Sequence, residues 1–169
     1  MLQTPLDMTP HLGKTIDKFC QRSLGLKLNL NHCAHFVSHM MEYDALPTTC
    51  RNLSDADKAL PEKGAGIRVN EIFNRSPGVG YWADRPLGLT SCLMFATITS
   101  NMRECGSILA MDDKAQKHVG IYHAGVVWHY GESKYGVVKM VDKVFITTYR
   151  HLYLTAGDTV KFFYGRFLK

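Results

Sequence analysis

Several features that assign a chain to a familiar class are missing from this sequence. No stretch approaches the roughly 20 apolar residues that a membrane-spanning helix requires, so we expect no membrane insertion. The opening residues, MLQTPLDMTPHLGK, lack a cationic start followed by an apolar block, which predicts a protein made in the cytoplasm without a signal peptide. No internal repeat, low-complexity tract or linker is present, so the sequence predicts a single domain over residues 1–169.

A dense run of one charge is missing as well. Lys and Arg number 20 against 15 for Asp and Glu, giving a formal net charge of +5. This modest positive charge suits anionic surroundings such as cell-wall polymers. The basic residues are scattered, as on an ordinary solvated surface, and the sequence therefore predicts no nucleic-acid partner.

The five cysteines form no C-x-x-C pair; they are Cys20, Cys33, Cys50, Cys92 and Cys105. An odd number without paired spacing argues against a disulfide scaffold and against a zinc ribbon or finger. At least one thiol is therefore free. Cys20 and Cys92 fall on apolar faces and are expected in the core, whereas Cys50 and Cys105 fall in polar loops.

The order of predicted elements indicates an α+β fold in which helices precede an antiparallel sheet. Helices are predicted over residues 9–24 and 32–43, the second capped by Asn31, and a long loop over residues 44–66 that would serve as a lid if it covered the site. The segment IRVNEIFNR fits a helix or a strand. Strands are predicted for LTSCLMFATIT, for the hairpin HVGIY and VVWHY, and for VVKMV, KVFITTYR, HLYLT and TVKFFYGRF.

Cys33 has the most reactive predicted position among the thiols. It lies in the first turn of the second helix, two residues after Asn31. Unpaired backbone N–H groups and the helix dipole favour a negative charge there. The position therefore predicts a lowered thiol pKa and a nucleophilic thiolate. The alternative is a buried helix cysteine without chemistry.

A thiolate nucleophile needs a base, and the predicted hairpin offers two histidines. His118 and Gly120 share one face of the HVGIY strand. A turn centred between His123 and Ala124 would place His118 opposite His129, with Cβ atoms roughly 5 Å apart. A turn centred one residue later would put the pair out of register. We interpret His118 as the general base and His129 as the residue that orients it.

The strings NHCAHFV, HVGIY and VVWHY together resemble the NlpC-type cell-wall cysteine peptidases, which belong to the papain-like superfamily with the CHAP amidases. The resemblance implies a papain-like fold with Cys33 as nucleophile, His118 as base and His129 as third member. The family usually has Asp before the cysteine and Ser-Gly after it, and this chain has His-Cys-Ala-His instead. The string Cys-x-His-Phe-Val also resembles the lecithin:retinol acyltransferase group, in which the histidine motif precedes the cysteine.

The resemblance implies hydrolysis of amide bonds in peptidoglycan stem peptides through an acyl-enzyme, without a cofactor. Such an enzyme would suit a toxin delivered to a target cell's periplasm by secretion machinery, with an immunity protein as partner, or a phage-type lysin. One alternative is a cytosolic deamidase, thioesterase or acyltransferase with the same triad. Another is a non-enzymatic metal-binding or interaction module.

Four residues are predicted to contact the substrate: Asn31, His35, Tyr81 and Trp82. His35 and His39 lie four apart on a helix, the spacing of a zinc-binding pair, with Cys33 or Glu42 as a conceivable third ligand. No HExxH motif is present, so we interpret the pair as exposed side chains beside the site and predict no metal.

Overall fold

A six-stranded sheet lies at the centre of the computed structural model, which describes residues 8–132, 135–154 and 157–169. The strands are β1 (Gly80–Tyr81), β2 (Ser91–Ile98), β3 (Met102–Cys105), β4 (Ile108–Met111), β5 (Lys117–His123), β6 (Val126–Tyr130), β7 (Val137–Val141) and β8 (Val160–Gly165). The sheet order is β1-β8-β2-β5-β6-β7, and β3 pairs with β4 separately. Every pairing between these strands is antiparallel, which confirms the α+β class.

Four helices accompany the strands: α1 (Cys33–Met41), α2 (Asp55–Ala59), α3 (Val69–Arg75) and α4 (Asp142–Leu152). Short 3-10 turns occupy Thr9–His11, Ile16–Lys18, Cys50–Leu53, Trp82–Asp84 and Thr99–Asn101. None of the described helices is long and apolar enough to span a bilayer. The ambiguous segment IRVNEIFNR contains α3. Residues 1–7, on which part of the signal-peptide expectation rests, lie outside the described residues.

The sheet is covered on both faces, and side-chain alternation along β5 assigns each residue to one of them. Val119 and Ile121 join an apolar core with Phe36 of α1. Tyr122 joins a second apolar cluster with Phe145 of α4. Burying a side chain such as Phe stabilises the fold by about 1.5–3 kcal/mol, so both layers hold β5 firmly. Strand β5 therefore contacts α1 through one face of the sheet and α4 through the other.

The predicted first helix over residues 9–24 is wrong. Gly13 has φ +73 and interrupts any helix there. Its N–H donates to the carbonyl of Val137, and the N–H of Val137 donates to the carbonyl of Lys14. The backbone of this segment therefore bonds to the start of β7, and only two short 3-10 turns remain helical.

The prediction of strands for KVFITTYR and HLYLT is also wrong for the described residues, because α4 runs from Asp142 to Leu152. Thr155, the end of the second string, lies outside the description. Valine, isoleucine and threonine favour strands in general. The four-residue spacing of Phe145 and Tyr149, both buried, places them together on one helix face against the sheet.

The hairpin between β5 and β6 turns one residue later than the register that puts the two histidines opposite each other. Ala124 and Gly125 occupy the turn with φ 47 and 90, and His123 pairs with Val126. Two positive φ angles are typical of a two-residue type I′ turn. Continuing this register places His129 beside Gly120, so of the two registers considered the structure has the one in which His118 does not lie directly opposite His129.

Candidate active site

Cys33 is the first residue of α1 and lies buried, 2% exposed, against the point where β5 and β6 separate. The pairing of these strands covers Ile121 to His123 only, so the N–H of Val119 is left to face the thiol. Asn31 Oδ1 accepts the Cys33 backbone N–H at 3.0 Å, although His32 occupies the formal cap position. The helix thus begins one residue later than predicted.

The expected lowering of the Cys33 pKa is wrong for this resting structure. Burial raises the pKa of the thiol to about 11, because a thiolate loses its solvation there. The backbone N–H groups of Val119 and Ala34 and the charge of Lys117 act in the opposite direction but are outweighed. The resting group is therefore a neutral thiol surrounded by donors that would stabilise a thiolate.

His118 and His129 contact each other despite their diagonal register. His118 Nε2 lies 3.0 Å from His129 Nδ1, and both residues are almost fully buried. Gly120 makes this contact possible because it has no side chain between them. A Cβ at Gly120 would lie 2.6 Å from Val127 Cγ1 and 3.1 Å from His129 Cβ.

Tyr149 completes this network, and the sequence reasoning missed it. Its hydroxyl lies 2.8 Å from His118 Nε2 and 3.4 Å from His129 Nδ1. The Tyr149 ring stacks on His118 with centroids 4.2 Å apart. Because Nε2 faces both partners, the ring of His118 is fixed in orientation. Both of these contacts use Nε2, so neither of them engages His118 Nδ1.

Burial keeps both histidines neutral. It lowers the pKa of His118 well below the usual value, and the neighbouring His129 acts in the same direction. It lowers the pKa of His129 to about 4. His129 Nε2 is buried without a hydrogen-bond partner. A neutral His118 has a lone pair that can accept a proton, and its lowered pKa makes it a weaker base than an exposed histidine.

Two clefts open beside these residues and share one wall. A cleft of about 380 Å³ reaches Cys33, and a cleft of about 470 Å³ reaches His118 and Tyr149. Leu30 and Asn31 line both. No hydrogen bond joins the thiol to His118 in the described part of the chain. The segment before α1 therefore separates the nucleophile candidate from the base candidate.

The cleft over Cys33 carries an ionic cluster at its rim. Asp113 lies between two cations, 2.6 Å from Arg68 Nη1 and 2.7 Å from Lys117 Nζ. Two positive charges against one negative charge leave this rim cationic. A carboxylate on a ligand would find complementary charge there.

Two of the remaining predicted substrate contacts, Tyr81 and Trp82, lie elsewhere. Tyr81 is on edge strand β1, three strand positions or roughly 14 Å from β5. Its hydroxyl donates to Glu104, and Trp82 packs edge-on against Tyr122. Neither residue lines the clefts over Cys33 and His118. His35 does line the cleft over Cys33, but its two ring nitrogens contact His32 and His39.

The loop over residues 44–66 does not cover either cleft. It folds back on itself through a bridge between Thr49 and Gly66, and Thr48 donates to Glu71 of α3. No residue of this loop lines the cleft over Cys33 or the cleft over His118. In this conformation the loop is packed beside α1 and does not act as a lid.

A second group of reactive side chains lies further along α1. Ligand atoms of Cys20, His35, His39 and Cys50 all lie within 4.8 Å of one another. Neither of the two conceivable third ligands, Cys33 and Glu42, belongs to this group. The expectation of an exposed histidine pair is wrong, because His35 is only 1% exposed. Cys50 is fully buried although its sequence surroundings are polar.

The chain matches no protein-family model, no curated protein and no solved structure. The resemblance to NlpC-type peptidases therefore rests on the sequence strings alone.

Proposed function

We propose that this protein is a cysteine amidohydrolase with Cys33 as nucleophile and His118 as general base. The observation that supports this best is the position of the thiol. It begins a helix and lies against the backbone of Val119, the residue that follows His118. His129 and Tyr149 fix the base from behind and leave its Nδ1 for a further partner. A papain-like active site likewise combines a cysteine nucleophile, a histidine base and a third residue that orients the histidine.

The proposed reaction starts from a neutral thiol and a neutral imidazole. The Sγ–H proton passes to His118 Nδ1 while Sγ forms a bond to the amide carbonyl carbon. The imidazolium then gives this proton to the leaving nitrogen as the C–N bond breaks. A thioester on Cys33 and a free amine result. His118 next removes a proton from water, which attacks the thioester and releases a carboxylic acid and the thiol.

The segment from Asn29 to Asn31 has to move for this reaction. Asn31 Oδ1 occupies the Cys33 N–H, the donor that would hold the oxyanion of the tetrahedral intermediate. Leu30 and Asn31 also form the wall between the two clefts. A substrate carbonyl that replaces Asn31 at this N–H would therefore join the two clefts, and His118 and Cys33 would face the same space.

The proposed substrate is an amide of a peptide that carries a carboxylate near the scissile bond, with peptidoglycan stem peptides as the first case. The cationic rim formed by Arg68 and Lys117 supports a carboxylate. The formal net charge of +5 favours an anionic polymer. With this substrate we also propose that secretion machinery delivers the protein and that an immunity protein is its partner.

The deciding experiment is digestion of purified sacculi, with released muropeptides identified by mass spectrometry. We expect wild type to release them and Cys33→Ala and His118→Ala to lose the activity. Cys105→Ser, which removes an exposed thiol, should retain it. Unchanged release by Cys33→Ala would rule out the proposed nucleophile.

The same variants distinguish a related chemistry. A thioester or a protein glutamine substrate can replace the sacculi in the assay. Hydrolysis that depends on Cys33 but appears only with these substrates would keep the nucleophile and refute peptidoglycan. The protein would then be a thioesterase, acyltransferase or deamidase.

A further inference from the structure

The group formed by Cys20, His35, His39 and Cys50 has the dimensions of a tetrahedral metal site. Cys20 Sγ and Cys50 Sγ lie 3.8 Å apart, and the Nε2 atoms of the two histidines lie 3.1 Å apart. Bonds of about 2.3 Å from zinc to sulfur and about 2.0 Å to nitrogen require a sulfur–sulfur edge of about 3.8 Å and a nitrogen–nitrogen edge of about 3.3 Å.

We infer that these four side chains bind one Zn²⁺ as a closed structural site. Two thiolates and two imidazoles in tetrahedral positions are typical of zinc. Four protein ligands leave no place for a water molecule, which distinguishes a structural from a catalytic zinc. This site is independent of the chemistry proposed for Cys33, because that residue is not among the ligands.

Hydrogen bonds outside the group present the lone pair of His35 to the metal. His32 Nε2 lies 2.9 Å from the carbonyl of Lys27, which only accepts, so this nitrogen carries the proton. Neutral His32 then has its lone pair on Nδ1, and His35 Nδ1, 3.3 Å away, has to donate to it. His35 Nε2 is left unprotonated and directed at the group, as a zinc ligand requires.

The cysteines are held in a comparable way. The backbone N–H of Ala65 donates to Cys50 Sγ at 3.2 Å, a contact that stabilises negative charge on sulfur. At Cys20 the chain turns back so tightly that a Cβ at Gly25 would lie 2.2 Å from the Cys20 carbonyl oxygen. The backbone therefore holds Cys50 Sγ by a hydrogen bond and confines the main chain at Cys20.

The site also explains how three distant segments stay together. Cys20, Cys50 and Ala65 form a small apolar cluster, and in the described part of the chain the partly buried side chains of Leu24 and Ile67 pack against it. So few apolar contacts give little stability to loops without regular structure. Arg22 and Ser23 already bond to Asp57, and a metal that joins the segment around Cys20, helix α1 and the loop around Cys50 adds a further cross-link.

The test measures zinc in the intact protein after its purification tag is removed, by elemental analysis and native mass spectrometry. We expect about one zinc per chain. Cys20→Ser and His39→Ala should lose it, whereas Cys92→Ser, a buried thiol outside the group, should keep it. Chelation should lower the melting temperature of wild type by roughly 10 °C, and zinc should restore it.

Cobalt binding can be measured on wild type alone, so this second test does not require any substituted variant to fold. Wild type stripped of zinc and refilled with Co²⁺ should show the visible bands of a tetrahedral ion with thiolate ligands. Three results would overturn the inference: wild type without zinc and without these bands, zinc retained by both ligand variants, or a disulfide between Cys20 and Cys50. Iron in place of zinc would refute the assigned metal.

Discussion

At the scale of single residues, the resting chemistry of Cys33 differs from that of an exposed reactive thiol. The thiol is buried and the imidazole of His118 is neutral, so neither carries charge in this conformation. This arrangement protects the thiol from oxidation and alkylation. The N–H groups of Val119 and Ala34 already oppose the effect of burial on the thiol pKa, and in the proposed mechanism they would stabilise the thiolate.

The raised pKa leads to a direct prediction for alkylation by iodoacetamide. The reaction of Cys33 should be slower than that of the exposed Cys105 at pH 7 and should rise with pH toward about 11. Mass spectrometry of peptides from a pH series measures both rates in the same sample. A Cys33 rate above that of Cys105 at pH 7 would contradict the buried, neutral thiol described here.

The variant Tyr149→Phe tests the role of the hydroxyl that contacts His118 Nε2. We expect kcat to fall roughly tenfold with little change in KM, because one hydrogen bond of about 1–1.5 kcal/mol to His118 is lost. The matched control is Tyr122→Phe, whose hydroxyl bonds to Arg85 on the same face of the sheet. Equal losses in the two variants would indicate a general packing defect, and Tyr149 would have no positioning role.

At the scale of elements, the hairpin of β5 and β6 depends on the missing side chain at Gly120. Gly120→Ala places a Cβ 2.6 Å from Val127 Cγ1, and we expect destabilisation of about 1–3 kcal/mol with displacement of His129. Chemical denaturation measures the change in the free energy of unfolding. Gly88→Ala is the control, since nothing lies within 4 Å of a Cβ there. A stable variant with an unchanged His118–His129 contact would refute the packing argument.

Elements with local and periodic signals were predicted from the sequence. The helix that begins near Cys33, the buried strand β2 and the hairpin of β5 and β6 all agree with the structure. Alternation along HVGIY also assigned His118 and Val119 to opposite faces correctly. These features depend on neighbours in the chain, and such information is present in a single sequence.

Features that depend on distant contacts were missed. Helix α4 is rich in strand-forming residues, and packing of Phe145 and Tyr149 on the sheet overrides that preference. The partners of His35 and His39 were not found because Cys20 and Cys50 come from two irregular segments. Only the fold brings their sulfur atoms within 3.8 Å of each other.

At the scale of the whole molecule, the buried histidines make stability depend on pH. The pKa of His129 falls from about 6.5 in the unfolded chain to about 4 in the folded protein. The unfolded chain therefore binds more protons below pH 6.5. The contribution of His129 to the free energy of unfolding is fully present above that pH. Roughly 3 kcal/mol of it is lost as the pH falls through 4. His118 acts in the same direction.

Thermal melts between pH 7 and pH 4 measure this loss. His129→Gln should show a shallower decrease than wild type, whatever its stability at pH 7. The variant leaves Cys20, His35, His39 and Cys50 in place, so acid release of a metal would affect both proteins equally. Identical slopes for the two proteins would show that His129 titrates normally when folded.

The position of β8 inside the sheet has a consequence for how the chain reaches its fold. β8 fills the gap between β1 and β2, although it follows every other strand in the chain. Until it docks, β2 presents the apolar residues of SCLMFATI along an unpaired edge, and such edges invite intermolecular association. Pairing across this sequence distance also slows folding. A chain cut before Val160 would therefore accumulate as aggregates, and the rate of β8 docking would determine how much protein a cell obtains in soluble form.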